Sequence, residues 1–202
     1  MNSALPRVML VTDRHVTGGR DLVDIVEQAV EGGIRFVQVR ERDLPREVVR
    51  DLVLDLREAL PEDVLLVVNG RGDVAVETHV GLHLPAAAPL AGQELPRFWG
   101  RAVHTPEEAA AAVAEGPRYM VVGTIFPTPS KPQYPGAGVG LVTSVAAVAQ
   151  GVPLFAIGGV DASRVGELRA AGAYGVAVRR ALLQARRPKD AAKELLRAFE
   201  AI

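Results

Sequence analysis

A single (β/α)8 TIM barrel spanning residues 1–202 is the fold this sequence predicts, and three observations predict it. Eight apolar runs of strand length follow one another along the chain. Segments with apolar residues at helical spacing separate most of them. The last two runs lead into Gly158-Gly159 and Arg179-Arg180, where helical patterns begin, so that backbone N–H groups can point at an anion. Phosphate sites in such barrels are commonly built from the loops after the last two strands.

The runs occupy residues 8–12, 34–40, 64–69, 80–84, 101–104, 119–126, 153–157 and 175–178. Each is too short to form a sheet alone, and their alternation with helical segments argues βαβ units and a parallel sheet. After the first run, Leu22, Ile25, Val26, Ala29 and Val30 mark one apolar helical face. After the second, Val49, Leu52, Val53, Leu56 and Leu60 mark another. At 202 residues the chain is small for a fold that usually takes about 250. Segments 71–78 and 92–98 are therefore expected to be short helices. Thr105-Pro106-Glu107-Glu108 reads as a capping box with proline at the first helical position, leading into the alanine-rich helix former 109–114. Residues 124–139 carry Pro127, Pro129, Pro132 and Pro135 with Gly136 and Gly138, which predicts a long loop rather than helix or central strand.

Composition narrows the function classes. Hydrophobic residues make up 49% of the chain, enough for a barrel core and an outer helical layer. No apolar run approaches the roughly 20 residues of a membrane span. The formal charge of −1, from 23 basic and 24 acidic residues, gives no reason to expect nucleic acid or an anionic membrane as partner. With no cysteine there is no disulfide framework, thiolate nucleophile or zinc-thiolate site. No signal pattern precedes the first run, so a cytoplasmic location is expected.

In this architecture the functional residues gather at the carboxyl ends of the strands. Those ends read Thr12-Asp13; Gln38, Arg40 and Arg42; Asn69 and Arg71; His83; His104; the Thr128-Pro129-Ser130-Lys131 loop; Gly158-Gly159; and Arg179-Arg180. Amides, hydroxyls and cations dominate, a set suited to a ligand carrying phosphate with a carboxylate or a heteroaromatic ring. Gln38, Arg40 and Arg42 alternate and so share one side of an extended strand, opposite Val37, Val39 and Glu41. His104 is the best acid/base candidate, with a plain alternative as a neighbour of the Thr105 helix cap. Lys131 reads as a lid cation and Arg179-Arg180 as backbone donors to phosphate. His83 either faces the barrel interior or fills space.

Val11-Thr12-Asp13, the run Phe36-Val37-Gln38-Val39-Arg40-Glu41-Arg42, Val68-Asn69-Gly70-Arg71-Gly72-Asp73, and Val122-Gly123-Thr124-Ile125-Phe126-Pro127-Thr128-Pro129-Ser130-Lys131 together resemble the thiamine phosphate synthase / TenI family, in order through nearly the whole chain. The resemblance implies a (β/α)8 barrel that binds a thiazole phosphate as its small-molecule partner; assembly into a homo-oligomer stays open. The synthase branch joins an aminopyrimidine pyrophosphate to the thiazole phosphate with Mg2+, and its motifs carry aspartates where this chain has Gly70 and Ala88. Since Mg2+ takes carboxylate oxygens, no metal ligand and no cofactor is expected here, Mg2+ entering only with the synthase alternative. Asp73 is expected to belong to the helix that follows.

Asn69-Gly70-Arg71, Leu84-Pro85 and Gly100-Arg101-Ala102-Val103-His104 resemble the TenI branch more closely, and that resemblance implies thiazole tautomerisation. The leading expectation is therefore a tautomerase, an isomerase. The alternatives are thiamine phosphate synthesis, a transferase reaction, and a non-catalytic thiazole-phosphate-binding regulator. Thr124 stands where such tautomerases carry a histidine, and a hydroxyl is a poor base near neutrality. His104, Arg40, Lys131 and Thr124 are then the catalytic candidates. Gln38, Arg42, Asn69, Thr128, Ser130, Gly158, Gly159, Arg179 and Arg180 are the substrate- and phosphate-binding candidates. Thr128 to Lys131, by contrast, resemble the synthase loop that holds pyrophosphate.

Overall fold

The computed structural model describes residues 4–92 and 95–200. Eight parallel strands close into a barrel in sequence order: β1 Val8–Val11, β2 Phe36–Val39, β3 Leu65–Asn69, β4 Gly81–Leu84, β5 Trp99–Val103, β6 Tyr119–Gly123, β7 Leu154–Ile157 and β8 Gly175–Val178. The helices between and after them are α1 Leu22–Glu31, α2 Arg46–Ala59, α3 Gly72–Glu77, α4 Pro106–Glu115, α5 Val139–Val148, α6 Val165–Ala170, α7 Arg180–Leu183 and α8 Pro188–Glu200. Among the described residues no helix is long and apolar enough to cross a membrane.

Alternation along the strands divides two cores. Val8 and Leu10 face outward and pack with the helices, among them Ile25, Val26, Ala29 and Val30 of α1 and Val49, Val53 and Leu56 of α2. Met9, Val11, Phe36, Val67, Tyr119, Val121, Phe155 and Ala177 face inward. The lower interior is aromatic: Phe36 meets Tyr119 and Phe155 edge-on at 5.2 and 5.6 Å, a favoured geometry for ring quadrupoles. Glycines opposite make room for these rings. A Cβ on Gly100 would sit 2.2 Å from Tyr119 Cζ, and one on Gly175 2.7 Å from Phe155 Cε1. Bulk from β2, β6 and β7 thus fills space that β5 and β8 leave empty, and the upper interior stays open to ligand.

Three expectations need correction. The sixth run extends to Phe126, but β6 ends at Gly123. Residues 124–126 keep the ladder to β7 on one side, Ile125 N–H donating to Ile157 O and Phe126 N–H to Gly158 O, while Ala137 and Gly138 N–H take the carbonyls of Thr124 and Ile125 on the other. The loop's own return segment therefore closes there. The fifth strand lies at Trp99–Val103, so that His104 just follows it. Of the expected short helix 92–98, residues 93 and 94 lie outside the described residues and 95–98 are not helical, the chain already joining the sheet at Phe98, whose carbonyl accepts from Leu82 N–H. The other short segment forms α3.

Candidate functional site

A cavity of about 590 Å³ opens at the carboxyl ends of the strands. It is lined by every residue in the two candidate sets above, contributed by β2, β3, β5, β7, β8 and the loop after β6. Its floor is the upper interior of the barrel. Gln38 is buried beside Met9, its Nε2 3.5 Å from the sulfur. His83 is also inward-facing and buried, its Nδ1 3.1 Å from the Tyr119 hydroxyl. Burial, reinforced by the Arg40 charge, lowers the His83 pKa to about 3, and burial pushes the Tyr119 phenol well up. The imidazole is neutral at working pH. The sequence left His83 undecided because a lone histidine in a strand carries no mark of which neighbour it meets.

The end of β2 presents cations. Thr12 Oγ1 donates to Glu41 Oε1 at 2.7 Å and accepts from Arg40 N–H at 2.8 Å, and Glu41 also pairs with Arg14. Glu41, on the far side of the strand from Arg40 and Arg42, is thereby consumed in fixing the loop. The Arg40 guanidinium is half-buried and has no carboxylate partner among the described residues. Its pKa is lowered by burial first, then by Arg179 and Arg42. Arg42 is exposed at the rim, and Asn69 closes β3 beside it.

On the opposite side the turn after β7 is built for close approach. Gly158 and Gly159 have φ of +106° and +64°. A Cβ would fall 2.3 Å from Thr124 Cγ2 at the first and 2.5 Å from Pro127 O at the second. Arg164 holds the turn through Gly159 O at 2.7 Å and lies over the Phe126 ring. Among the described residues no backbone carbonyl meets the N–H of either glycine, so both remain available to a ligand. Arg179, expected from the sequence to serve through its backbone N–H, also engages its side chain: it pairs with Asp13 at 2.8 Å and donates to Ser130 Oγ. Arg180 Nε reaches the same oxygen at 3.4 Å. These contacts fasten the loop of Thr128, Ser130 and Lys131 over the cavity, where Lys131 is exposed with its Nζ 5.8 Å from the centre of the Tyr134 ring.

His104 and Thr124 sit at the mouth and also line an annex with Tyr134. His104 Nδ1 lies 2.5 Å from Gly123 O. A carbonyl only accepts, so Nδ1 carries the hydrogen and Nε2 has the lone pair in the neutral ring. The backbone N–H of His104 is taken by Glu108 Oε2 at 2.6 Å, while Thr105 Oγ1 accepts from Glu108 N–H as the cap expectation has it. Arg101, on the outer face of β5, donates to Ala86 O and Ala88 O at 3.0 and 2.7 Å and so sets the loop after β4, a tie that no spacing in the sequence reveals.

Divalent metal does not fit these residues. Asn69, Gly70, Pro85, Ala86 and Ala88 offer no carboxylate at the ends of β3 and β4. Asp73 is held by Arg46 at 2.6 Å on α3. Asp161, the one acidic residue lining the cavity, caps a turn through Ser163. Among the described residues no group of three or more His, Asp or Glu could hold a metal ion.

Comparison with known proteins adds the chemistry's family. A model described as thiamine monophosphate synthase matches residues 8–182. The chain is 38% identical over 195 residues to a putative thiamine-phosphate synthase of Geobacter sulfurreducens, covering 93% of this chain and 91% of that protein. It is 38% identical over 198 residues to the thiamine-phosphate synthase of Streptomyces avermitilis, covering 93% and 91%. Its fold is similar to that of thiamine phosphate pyrophosphorylase from Pyrococcus furiosus, with a TM-score of 0.84 and 27% identity over 96% of each chain. These names favour the synthase alternative over the TenI branch to which Asn69-Gly70-Arg71 and Leu84-Pro85 point.

Proposed function

Because this chain belongs to the thiamine monophosphate synthase family, we propose that it joins a thiazole phosphate to an aminopyrimidine carried as its pyrophosphate ester. The observation that carries this reading is the placement of the Thr128-Pro129-Ser130-Lys131 loop: it is pinned by Arg179 and Arg180 over the cavity that Arg40, Arg42 and the Gly158-Gly159 turn share. Two anionic groups can be held there, one on the glycine N–H groups and one beneath the lid. In the reaction the thiazole nitrogen forms a bond to the methylene carbon of the pyrimidine while the C–O bond to pyrophosphate breaks, its electron pair leaving with pyrophosphate.

Each group then has a part. The N–H groups of Gly158 and Gly159 hold the thiazole phosphate. Gln38 and the neutral His83 on the floor offer hydrogen bonds to the pyrimidine ring. Arg40, Arg42 and Lys131 stabilise the charge that develops on the departing pyrophosphate. The closed loop excludes water, which would compete with the thiazole.

A second reading, thiazole tautomerisation, draws on a specific observation: the cavity lacks carboxylates at the ends of β3 and β4, yet His104 sits at its mouth with no partner for Nε2 among the described residues. Supplying the purified protein with both substrates and Mg2+ and separating the products by chromatography tests the proposal. Thiamine phosphate supports coupling. Conversion of a carboxythiazole phosphate to its aromatic tautomer without coupling supports the second reading, and binding without either product supports a regulator.

A further inference from the structure

Among the described residues, the ends of β3 and β4 without carboxylates and the Arg40 and Arg42 guanidiniums without ion pairs face the same cavity. We propose that the cavity binds a pyrophosphate group directly on Arg40 and Arg42 with Lys131, without a divalent cation; the inference rests on the coupling reading only for the identity of the ligand.

A divalent ion does two things for a leaving pyrophosphate: it neutralises charge, and it bridges oxygens so that they point one way. Among the described residues no group of carboxylates gathers to hold such an ion: Asp13 is spent on Arg179, Glu41 on Thr12 and Arg14, and Asp73 on Arg46, while Asp161, the one acidic residue of the lining, stands alone and accepts from Ser163. Guanidinium groups can do both tasks, because the planar fork binds two oxygens at once and keeps its charge at any working pH.

Arg40 is the group whose state calls for this. Its main-chain N–H is fixed by Thr12, so the residue has a set origin, while its half-buried side chain has neither hydrogen bond nor ion pair among the described residues, the Asp13 and Glu41 carboxylates acting on it only at a distance and less than burial and the neighbouring cations do. Desolvating an arginine beside Arg42 and Arg179 is unfavourable in the empty protein, as its lowered pKa reflects. An anion with several charges removes that cost, and repulsion among the cations in the free state becomes attraction in the bound one. Lys131 comes from the loop above and adds a compact charge that no carboxylate among the described residues pairs with.

Inorganic pyrophosphate titrated calorimetrically into the full chain tests this, once in EDTA and once in excess Mg2+. The expected result is binding in EDTA at least as tight as with Mg2+, which competes by complexing the titrant. Arg40→Gln is expected to weaken binding in EDTA about tenfold or more, with Arg40→Lys between the two and thermal midpoints of both variants checked against the parent. Binding that requires Mg2+, no binding in either buffer, or equal affinity in folded Arg40→Gln would overturn the proposal. The failures of the two readings are distinct: pyrophosphate binding in EDTA without coupling sinks the coupling reaction alone, and coupling with Mg2+-dependent pyrophosphate binding sinks this inference alone.

Discussion

Tyr119 and His83 meet inside the barrel, hydroxyl to Nδ1 at 3.1 Å, with the rings stacked 5.6 Å apart. The buried phenol has no other acceptor among the described residues, so it donates to Nδ1, and His83 is the tautomer with hydrogen on Nε2. The cavity floor therefore carries a fixed neutral donor.

The first prediction is a pH dependence of stability. The folded His83 pKa of about 3 lies below its ordinary 6.5, so below 6.5 the unfolded chain binds the additional proton. Stability is fully present above about 6.5 and is lost as pH falls toward the folded value, by up to about 1.4 kcal/mol per pH unit. Between pH 7 and 4 the histidine contributes a loss of about 3 kcal/mol. Urea unfolding of the parent and of His83→Gln at both values measures it; an equal loss in the two proteins contradicts a neutral buried His83.

Lys131 gives a second. It is exposed and pairs with no carboxylate among the described residues, so Lys131→Ala should leave the thermal midpoint within about 2 °C, as surface substitutions do. If the lysine stabilises a departing pyrophosphate, the same variant should lower the coupling rate by about 10²-fold. Unchanged coupling in the variant would remove the lid from the chemistry.

His104 separates the two readings of the site. Coupling as written transfers no proton in the bond-making step, so His104→Gln should lower it by less than about tenfold, whereas loss of a general base costs about 10² to 10⁴ in rate. A drop in that larger range in thiazole tautomerisation would move the assignment to the second reading.

The barrel was legible because its signal is repeated. Eight apolar runs with helical faces between them fix the alternation, and the residues at the carboxyl ends of those runs mark the mouth. What stayed hidden depends on contacts between residues far apart in sequence. Arg179 reaches Asp13 and Ser130 across 166 and 49 positions, and nothing near Arg179 tells that its side chain is engaged. The end of β6 was missed for a similar reason. Val121 to Phe126 is a continuous apolar run around Gly123 and Thr124, and only the return of Ala137 and Gly138 shows where the ladder is cut. The branch was ambiguous because Gly70 and Ala88 point one way and Thr128 to Lys131 the other.

The most direct test of the coupling reading is a single turnover with the protein in molar excess over an aminopyrimidine pyrophosphate, thiazole phosphate saturating and Mg2+ present throughout. Quenched samples are assayed for both products. One pyrophosphate released for each thiamine phosphate formed, in the first turnover, is the predicted result. Retention of intact pyrimidine pyrophosphate by a protein shown by calorimetry to bind both substrates would contradict it.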